Sequence, residues 1–276
     1  MIQPRSWLFV PADSEKKIAK AIESDADAVI FDLEDSVLPA RKGEAREILK
    51  ALPERSGGPG WWVRINPIGS EFHKDDLEMI SRGDIDGIVL PKAESGADIV
   101  QLSHRTGVIP IHAIVTETAA SLFSLLSYRD PKSPLAAMSW GAEDLSAALG
   151  ASTKYDENGD LAFTYRLARS LCLAGAVAAG VQPVDGVFAD FRDGDGLKRE
   201  AEAARREGFT GKLAIHPAQV PIINTAFTPS ADEVGHAEAI VAAFEAQPGA
   251  GVLSVDGKMV DRPHLLQARL ILERSR

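Results

Sequence analysis

The 276-residue chain is predicted to fold as an α/β protein, a (β/α)8 TIM barrel followed by a C-terminal helical and hairpin extension. Three observations predict it. Apolar runs alternate with amphipathic stretches at the spacing of repeated strand–helix units. About eight such repeats fit within roughly the first 225 residues, as a closed parallel barrel requires. The Gly-rich phosphate turn that an open doubly wound sheet carries after an early strand is absent from the sequence. With 45% apolar residues the chain can also bury one large core, which favours a single barrel-sized domain over two small ones.

Taken in order, the short apolar runs read as strands at Trp7–Val10, Ala28–Leu33, Trp61–Ile65, Gly87–Leu90, Ile111–Val115, Ala136–Trp140, Val184–Ala189 and Leu213–Ile215. Between them, mixed apolar and charged stretches read as helices at Ser14–Glu23, Lys42–Leu52, Asp75–Ser81, Ala119–Ser127, Leu161–Ala179 and Leu197–Glu207. The pattern changes after Pro229. Val234, Ala237, Ile240, Val241 and Phe244 stand at helical spacing, Gly249 to Gly251 follow, and Asp256-Gly257 is a hairpin turn between two short strands, with a last helix from Pro263. The expected division is therefore 1–229 for the barrel and 230–276 for an extension that caps its own barrel or packs on a neighbouring subunit.

Composition excludes several classes. A net charge of −10 argues against nucleic-acid binding, which needs a basic footprint to displace counterions. The single cysteine, Cys172, forbids an intrachain disulfide and is read as packing. The apolar stretch around it, Leu171 to Val181, suits a buried helix and is too short to span a membrane. Trp7 to Val10 is too short for a signal peptide and runs at once into Pro11 and charged residues, so a cytoplasmic location is expected.

In a barrel of this kind the chemistry sits at the C-terminal ends of the strands, while the opposite rim serves stability. Those ends carry Asp32, Glu34 and Asp35 after the second strand, Arg64 and Asn66 at the third, and Lys92 after the fourth. Glu117 follows the fifth, Asp144 the sixth and His216 the eighth. Any one charge at a strand end can simply mark the chain's return to water. Glu117 and Asp144 stand out because both follow apolar strands and are the hard oxygen ligands that Mg²⁺ takes, one or two at a time, beside waters and substrate oxygens. Arg64 points either inward, where its guanidinium would clamp a carboxylate in a bidentate fashion, or outward into a surface ion pair. His216, alone before Pro217, is read as holding a rim loop.

The strings Arg5-Ser-Trp-Leu-Phe-Val-Pro11, Phe31-Asp-Leu-Glu-Asp-Ser-Val37 with Lys42 and Ala45-Arg46, Val63-Arg-Ile-Asn-Pro67, Leu90-Pro-Lys92, Glu117-Thr118, Gly141-Ala-Glu-Asp-Leu145, Ile215-His-Pro217 and Gly257-Lys-Met-Val-Asp261 resemble the citrate lyase beta subunit and its relatives, the malyl-CoA, citramalyl-CoA and beta-methylmalyl-CoA lyases of the HpcH/HpaI aldolase superfamily. The resemblance covers nearly the whole chain. It departs at Ala12, where the family often has Gly.

The resemblance implies a Mg²⁺-dependent carbon–carbon lyase acting on a 3-hydroxyacyl thioester, with CoA as part of the substrate. It puts the metal on Glu117 and Asp144 and the 2-oxoacid carboxylate on Arg64. Glu34 and Asp35 then accept from Arg64 or from metal-bound water. Lys92 and Arg5 are substrate-binding candidates. The resemblance also implies a homotrimer or a multiple of one, with Asp261 on the tail acting as the acid–base group in a neighbouring subunit's site, and partners in a citrate lyase complex are compatible with it. Competing readings are a malate synthase or thioesterase, a CoA-independent 2-oxoacid aldolase, and a partner-dependent or non-catalytic metabolite-binding subunit.

Overall fold

The computed structural model describes residues 3–55, 57–80, 84–130 and 132–275. Eight parallel strands, β1 (Ser6–Pro11), β2 (Ala28–Asp32), β3 (Gly60–Arg64), β4 (Gly87–Leu90), β5 (Ile111–Val115), β6 (Leu135–Trp140), β7 (Gln182–Asp185) and β8 (Gly211–Ala214), close into a barrel in chain order. Closure comes from β1 pairing with β8, with Ser6 opposite Lys212. The interior is filled by alternate residues of each strand, among them Trp7, Ile30, Val89, Ile114 and Leu213, because side chains on a strand alternate between faces. His112 lies in this interior, edge-on to Trp7 at 4.6 Å, with Nε2 2.9 Å from Ser139 Oγ.

The helices are α1 (Glu15–Ile22), α2 (Lys42–Lys50), α3 (His73–Ile80), α4 (Gly96–Thr106), α5 (Ala142–Ala148), α6 (Phe163–Ala179), α7 (Gly194–Glu207) and α8 (Val220–Phe227). The third helix was expected to reach Ser81, which lies outside the described residues. Two differences from expectation have local causes. Residues 119–127 form two 3-10 turns, Ser121–Phe123 and Leu125–Tyr128, instead of a helix. Their serines compete for the backbone: Ser121 Oγ donates to Thr118 O at 2.7 Å and Ser127 Oγ to Ser124 O at 2.6 Å. The unexpected α4 is nucleated by a capping box, with Ser95 and Asp98 each taking the other's backbone N–H. Strand β7 starts at Gln182 rather than Val184 and ends at Asp185, four residues short of the expected end.

Contacts divide the chain into two compact units, Gln3–Asn224 and the segment from Thr225. The second consists of the end of α8, α9 (Ala231–Ala246), the antiparallel pair β9 (Val252–Val255) and β10 (Lys258–Asp261), and α10 (Arg262–Arg274). It has its own small core, made by Ala237, Ile240 and Phe244 of α9 against Val255, Val260 and Ala268. Asp256 and Gly257, both at positive φ, make the expected hairpin turn.

Candidate active site at the C-terminal rim

Arg64 ends β3, and the register sets it beside Asp32 at the end of β2. Its Nε and Nη2 donate to Asp32 Oδ1 and Oδ2 at 2.7 and 2.6 Å, Nη1 lies 2.9 Å from Glu34 Oε2, and the guanidinium sits 4.7 Å from the centre of the Phe9 ring. Burial opposes the charge, but Asp32, Glu34 and Glu117 outweigh it and raise the pKa of Arg64. Arg64 therefore points inward. The Nε–Nη2 edge is occupied by Asp32, so an incoming carboxylate can meet only the remaining Nη1 and Nη2 protons, and the open bidentate fork expected from the sequence is not available on that edge.

Glu34 is buried between two cations. Its Oε1 accepts from Lys92 Nζ at 2.6 Å. Desolvation nonetheless raises its pKa against the pull of Arg64 and Lys92. Lys92 Nζ also lies 3.3 Å from Asp144 Oδ1 and 3.7 Å from Asp35 Oδ2. Asp35 is well exposed and sits at the periphery. The loop that carries both acids is held from below by Lys42, whose Nζ donates to Leu33 O, Glu34 O and Asn66 Oδ1 at 2.7, 2.9 and 2.8 Å. Asn66 in turn donates to Leu33 O and Asp76.

Glu117 is buried at the end of β5, and its Oε2 accepts from the Lys92 backbone N–H at 2.5 Å. A side chain at Gly141 would meet Glu117 Oε1 at 2.7 Å, so glycine is what lets the carboxylate lie against the end of β6. Burial, partly offset by the Lys92 N–H and reinforced by the charges of Asp144 and Glu34, pushes Glu117 up to about 8. Asp144 stands in the first turn of α5, partly exposed. Lys92 and Thr116, at neighbouring strand ends, are both left-handed, with φ of 51° and 61°. Such backbone costs about 1–3 kcal/mol per non-glycine residue.

Among the described residues no three metal-ligating side chains converge on one point. The donor set is the two carboxylates Glu117 and Asp144, the number Mg²⁺ commonly takes beside waters and substrate oxygens. The charges of Lys92 and Arg64 do not outweigh the burial of Glu117, and a divalent ion would add the positive charge that favours its ionised form. The residues present fit the metal.

Other expected site residues lie elsewhere. Arg5 precedes β1 and is on the opposite, N-terminal rim, with Nε and Nη2 clamped on Asp27 at 2.8 and 2.9 Å. His216 accepts from Ala218 N at 3.1 Å and stacks on Phe191 at 4.6 Å, as a histidine holding a rim loop would. Cys172 is buried within α6. Asp261 caps α10 in the second unit, 2.5 Å from His264 Nδ1, and this bond lowers its pKa. The sequence reading missed the pairing of Asp32 with Arg64 and the part played by Gly141, although both residues stand in the strings that carried the resemblance.

The family model described as HpcH/HpaI aldolase/citrate lyase matches residues 5–217, and one described as a C–C bond lyase of the TIM-barrel fold matches residues 161–276. A (3S)-malyl-CoA thioesterase of Cereibacter sphaeroides is 36% identical over 98% of this chain and 94% of its own length. Mitochondrial citramalyl-CoA lyase of Homo sapiens is 34% identical over 97% of this chain and 84% of its own. The structure of CitE from Mycobacterium tuberculosis in complex with magnesium, acetoacetate and coenzyme A superposes with a TM-score of 0.86 at 36% identity, covering 99% of this chain and 98% of that one. The citrate lyase beta subunit of the same organism, complexed with oxaloacetate and magnesium, gives a TM-score of 0.74 at 37% identity over 81% and 96%. A closed parallel barrel with an acidic and basic cluster on its C-terminal rim is thus of the carbon–carbon lyase class. The chain belongs to the HpcH/HpaI aldolase/citrate lyase family, as its motifs led one to expect.

Proposed function

We propose that this chain is a Mg²⁺-dependent lyase that cleaves a 3-hydroxyacyl thioester of the citryl-, malyl- or citramalyl-CoA type into a 2-oxoacid and an acyl thioester. The observation that carries the reading is the buried carboxylate Glu117, short of a cation, beside Asp144 and facing Arg64 and Lys92. Relatives named as lyases and thioesterases of malyl- and citramalyl-CoA, and a structural neighbour holding magnesium, acetoacetate and coenzyme A, support the substrate class.

Glu117 and Asp144 hold the metal. When bound, Mg²⁺ supplies Lewis acidity toward the hydroxyl and carboxylate oxygens of the substrate. Arg64, fixed by Asp32 and Phe9, orients the carboxylate of the 2-oxoacid half with its remaining N–H groups. Lys92 adds positive charge to that wall, and Glu34 and Asp35 accept hydrogen bonds from Arg64, Lys92 and site water. In cleavage the hydroxyl passes its proton to the site water that Glu34 and Asp35 hold and becomes the oxo group. The electron pair of the broken bond moves into the thioester as an enolate, whose carbon then takes a proton. Asp261, supplied by the tail of a neighbouring subunit in a trimer or a multiple of one, exchanges that proton, and a cytoplasmic location goes with this reading.

The test is turnover of the purified protein with Mg²⁺ against citryl-, malyl-, citramalyl- and beta-methylmalyl-CoA, following both the 2-oxoacid and free thiol. Release of 2-oxoacid without thiol is expected. Release of thiol would favour the thioesterase reading that the Cereibacter relative's name carries. Glu117→Ala and Asp144→Ala should each abolish Mg²⁺-dependent turnover with the circular dichroism of the barrel retained, and wild-type metal dependence in either would sink the assignment.

A further inference from the structure

Thr116 bears two costs at once. It is a β-branched residue in the left-handed region, at φ 61°, and its hydroxyl is fully buried without a hydrogen-bond partner. Left-handed backbone is ordinarily given to glycine or asparagine, and a buried hydroxyl ordinarily finds a partner. The position of Thr116 explains what the left-handed backbone supports. Along β5, His112 and Ile114 face the barrel interior, so Ala113 and Val115 face out, and an unbroken strand would send Glu117 out with them. The left-handed turn at Thr116 breaks that alternation. Glu117 lands instead with Oε2 2.5 Å from the Lys92 N–H and Oε1 in the space that the missing side chain of Gly141 leaves open.

A glycine at 116 would adopt this turn without strain, but it would also let the peptide swing. A branched side chain packed on all sides leaves few rotamers and little backbone freedom. We propose that Thr116 is a positioning residue, whose strained backbone, locked by its buried branched side chain, holds the Glu117 carboxylate in the cradle of Lys92 and Gly141 before any ligand arrives. Its bearing on the reaction rests on the reading of Glu117 as a metal-holding group.

Amide hydrogen exchange at Lys92 in the metal-free, full-length protein reads the cradle directly, because that N–H donates to Glu117. Thr116→Gly removes the lock, whereas Thr116→Val keeps the branched shape and removes only the partnerless hydroxyl. In Thr116→Gly, Lys92 exchange should accelerate about tenfold or more while the amide of Ala113 stays protected; in Thr116→Val it should stay within about twofold of wild type. If Thr116→Gly does not fold, Thr116→Ser, which lacks the branch and keeps the hydroxyl, should give a smaller acceleration of about threefold. Unchanged protection in the variant without the branch overturns the proposal. Equal acceleration in Thr116→Val overturns it too, because the hydroxyl would then be the active feature. Mg²⁺ titration of the same variants by calorimetry separates this inference from the one beneath it. Binding weakened about tenfold in Thr116→Gly and kept in Thr116→Val supports both. Lost Lys92 protection with unaltered Mg²⁺ binding keeps the positioning role and removes Glu117 from the metal site.

Discussion

Two buried charge clusters in this barrel are made of the same kinds of residues and end in opposite electrostatic states. Between β7, β8, α6 and α7, Asp185 accepts from Trp140 Nε1, Arg169 Nε and Lys212 Nζ, each at 2.8 Å, and Lys212 also donates to Gly186 O and Glu200. Burial works against the Asp185 charge, yet Lys212 and Arg169 outweigh it and hold its carboxyl well below the usual range. At the C-terminal rim Glu117 is as deeply buried and has one backbone N–H within reach, and its carboxyl is pushed the other way. At Asp185 the paired cations outweigh burial, and at Glu117 they do not, which is the condition that marks a carboxylate as a functional-site candidate.

The largest effect of a single substitution expected from this contrast is on the Asp185 cluster. Lys212→Met leaves Asp185 short of a buried partner, which should cost about 3 kcal/mol or more, the low end for a broken buried pair because Arg169 remains. For a domain of this size that corresponds to a fall in melting temperature of about 6 °C or more. An unchanged melting curve would erase the distinction between the clusters.

A second, pH-dependent effect belongs to the Glu117 cluster. Glu117 has its folded-state pKa raised, from 4.5 to about 8, so the stability tied to its proton is full below the unfolded value and is lost as pH rises through the folded one. The metal-free protein should therefore melt at lower temperature as pH goes from about 4.5 to about 8, and this part of the decline should be missing in Glu117→Gln. Added Mg²⁺ should oppose the decline in wild type at the upper end of the range and leave Glu117→Gln unmoved. A wild-type profile that matches Glu117→Gln would mean that the carboxylate is not short of a cation.

The smallest effect is expected at the opposite rim. Arg5 is about one-third exposed and Asp27 about one-quarter, so Arg5→Ala should cost only about 0–1 kcal/mol. Its kcat and KM should equal those of wild type, and a raised KM would return Arg5 to the substrate contacts.

Which of these relations could be read in advance depends on their range along the chain. Strands β4 and β5 have the bounds expected from the sequence, because largely apolar runs bracketed by glycine, proline or polar residues carry their own limits. Glu34, Lys92, Glu117 and Asp144 were legible as rim residues for the same reason. The bond between Arg64 and Asp32 was not, because it depends on the register of β2 against β3, which no local pattern specifies. A matched motif does not say which end of its strand a residue occupies, and Arg5 stands just before β1, across from the ends that carry Arg64 and Lys92. The serine-rich stretch 119–127 has helical apolar spacing, and only the side-chain bonds to its own backbone reveal that it turns more tightly.

The ammonium of Lys92 already spans Glu34 and Asp144. A divalent ion that comes to rest on Asp144 is therefore traded against a counterion tethered to the protein, and its uptake is an exchange rather than a simple addition. A four-carbon leash makes the displaced charge impossible to dilute away, so it returns as soon as the ion leaves. On the proposed reading, a rim emptied of its metal is not left as a bare knot of like charges, because Lys92 still pairs with Glu34 and Asp144.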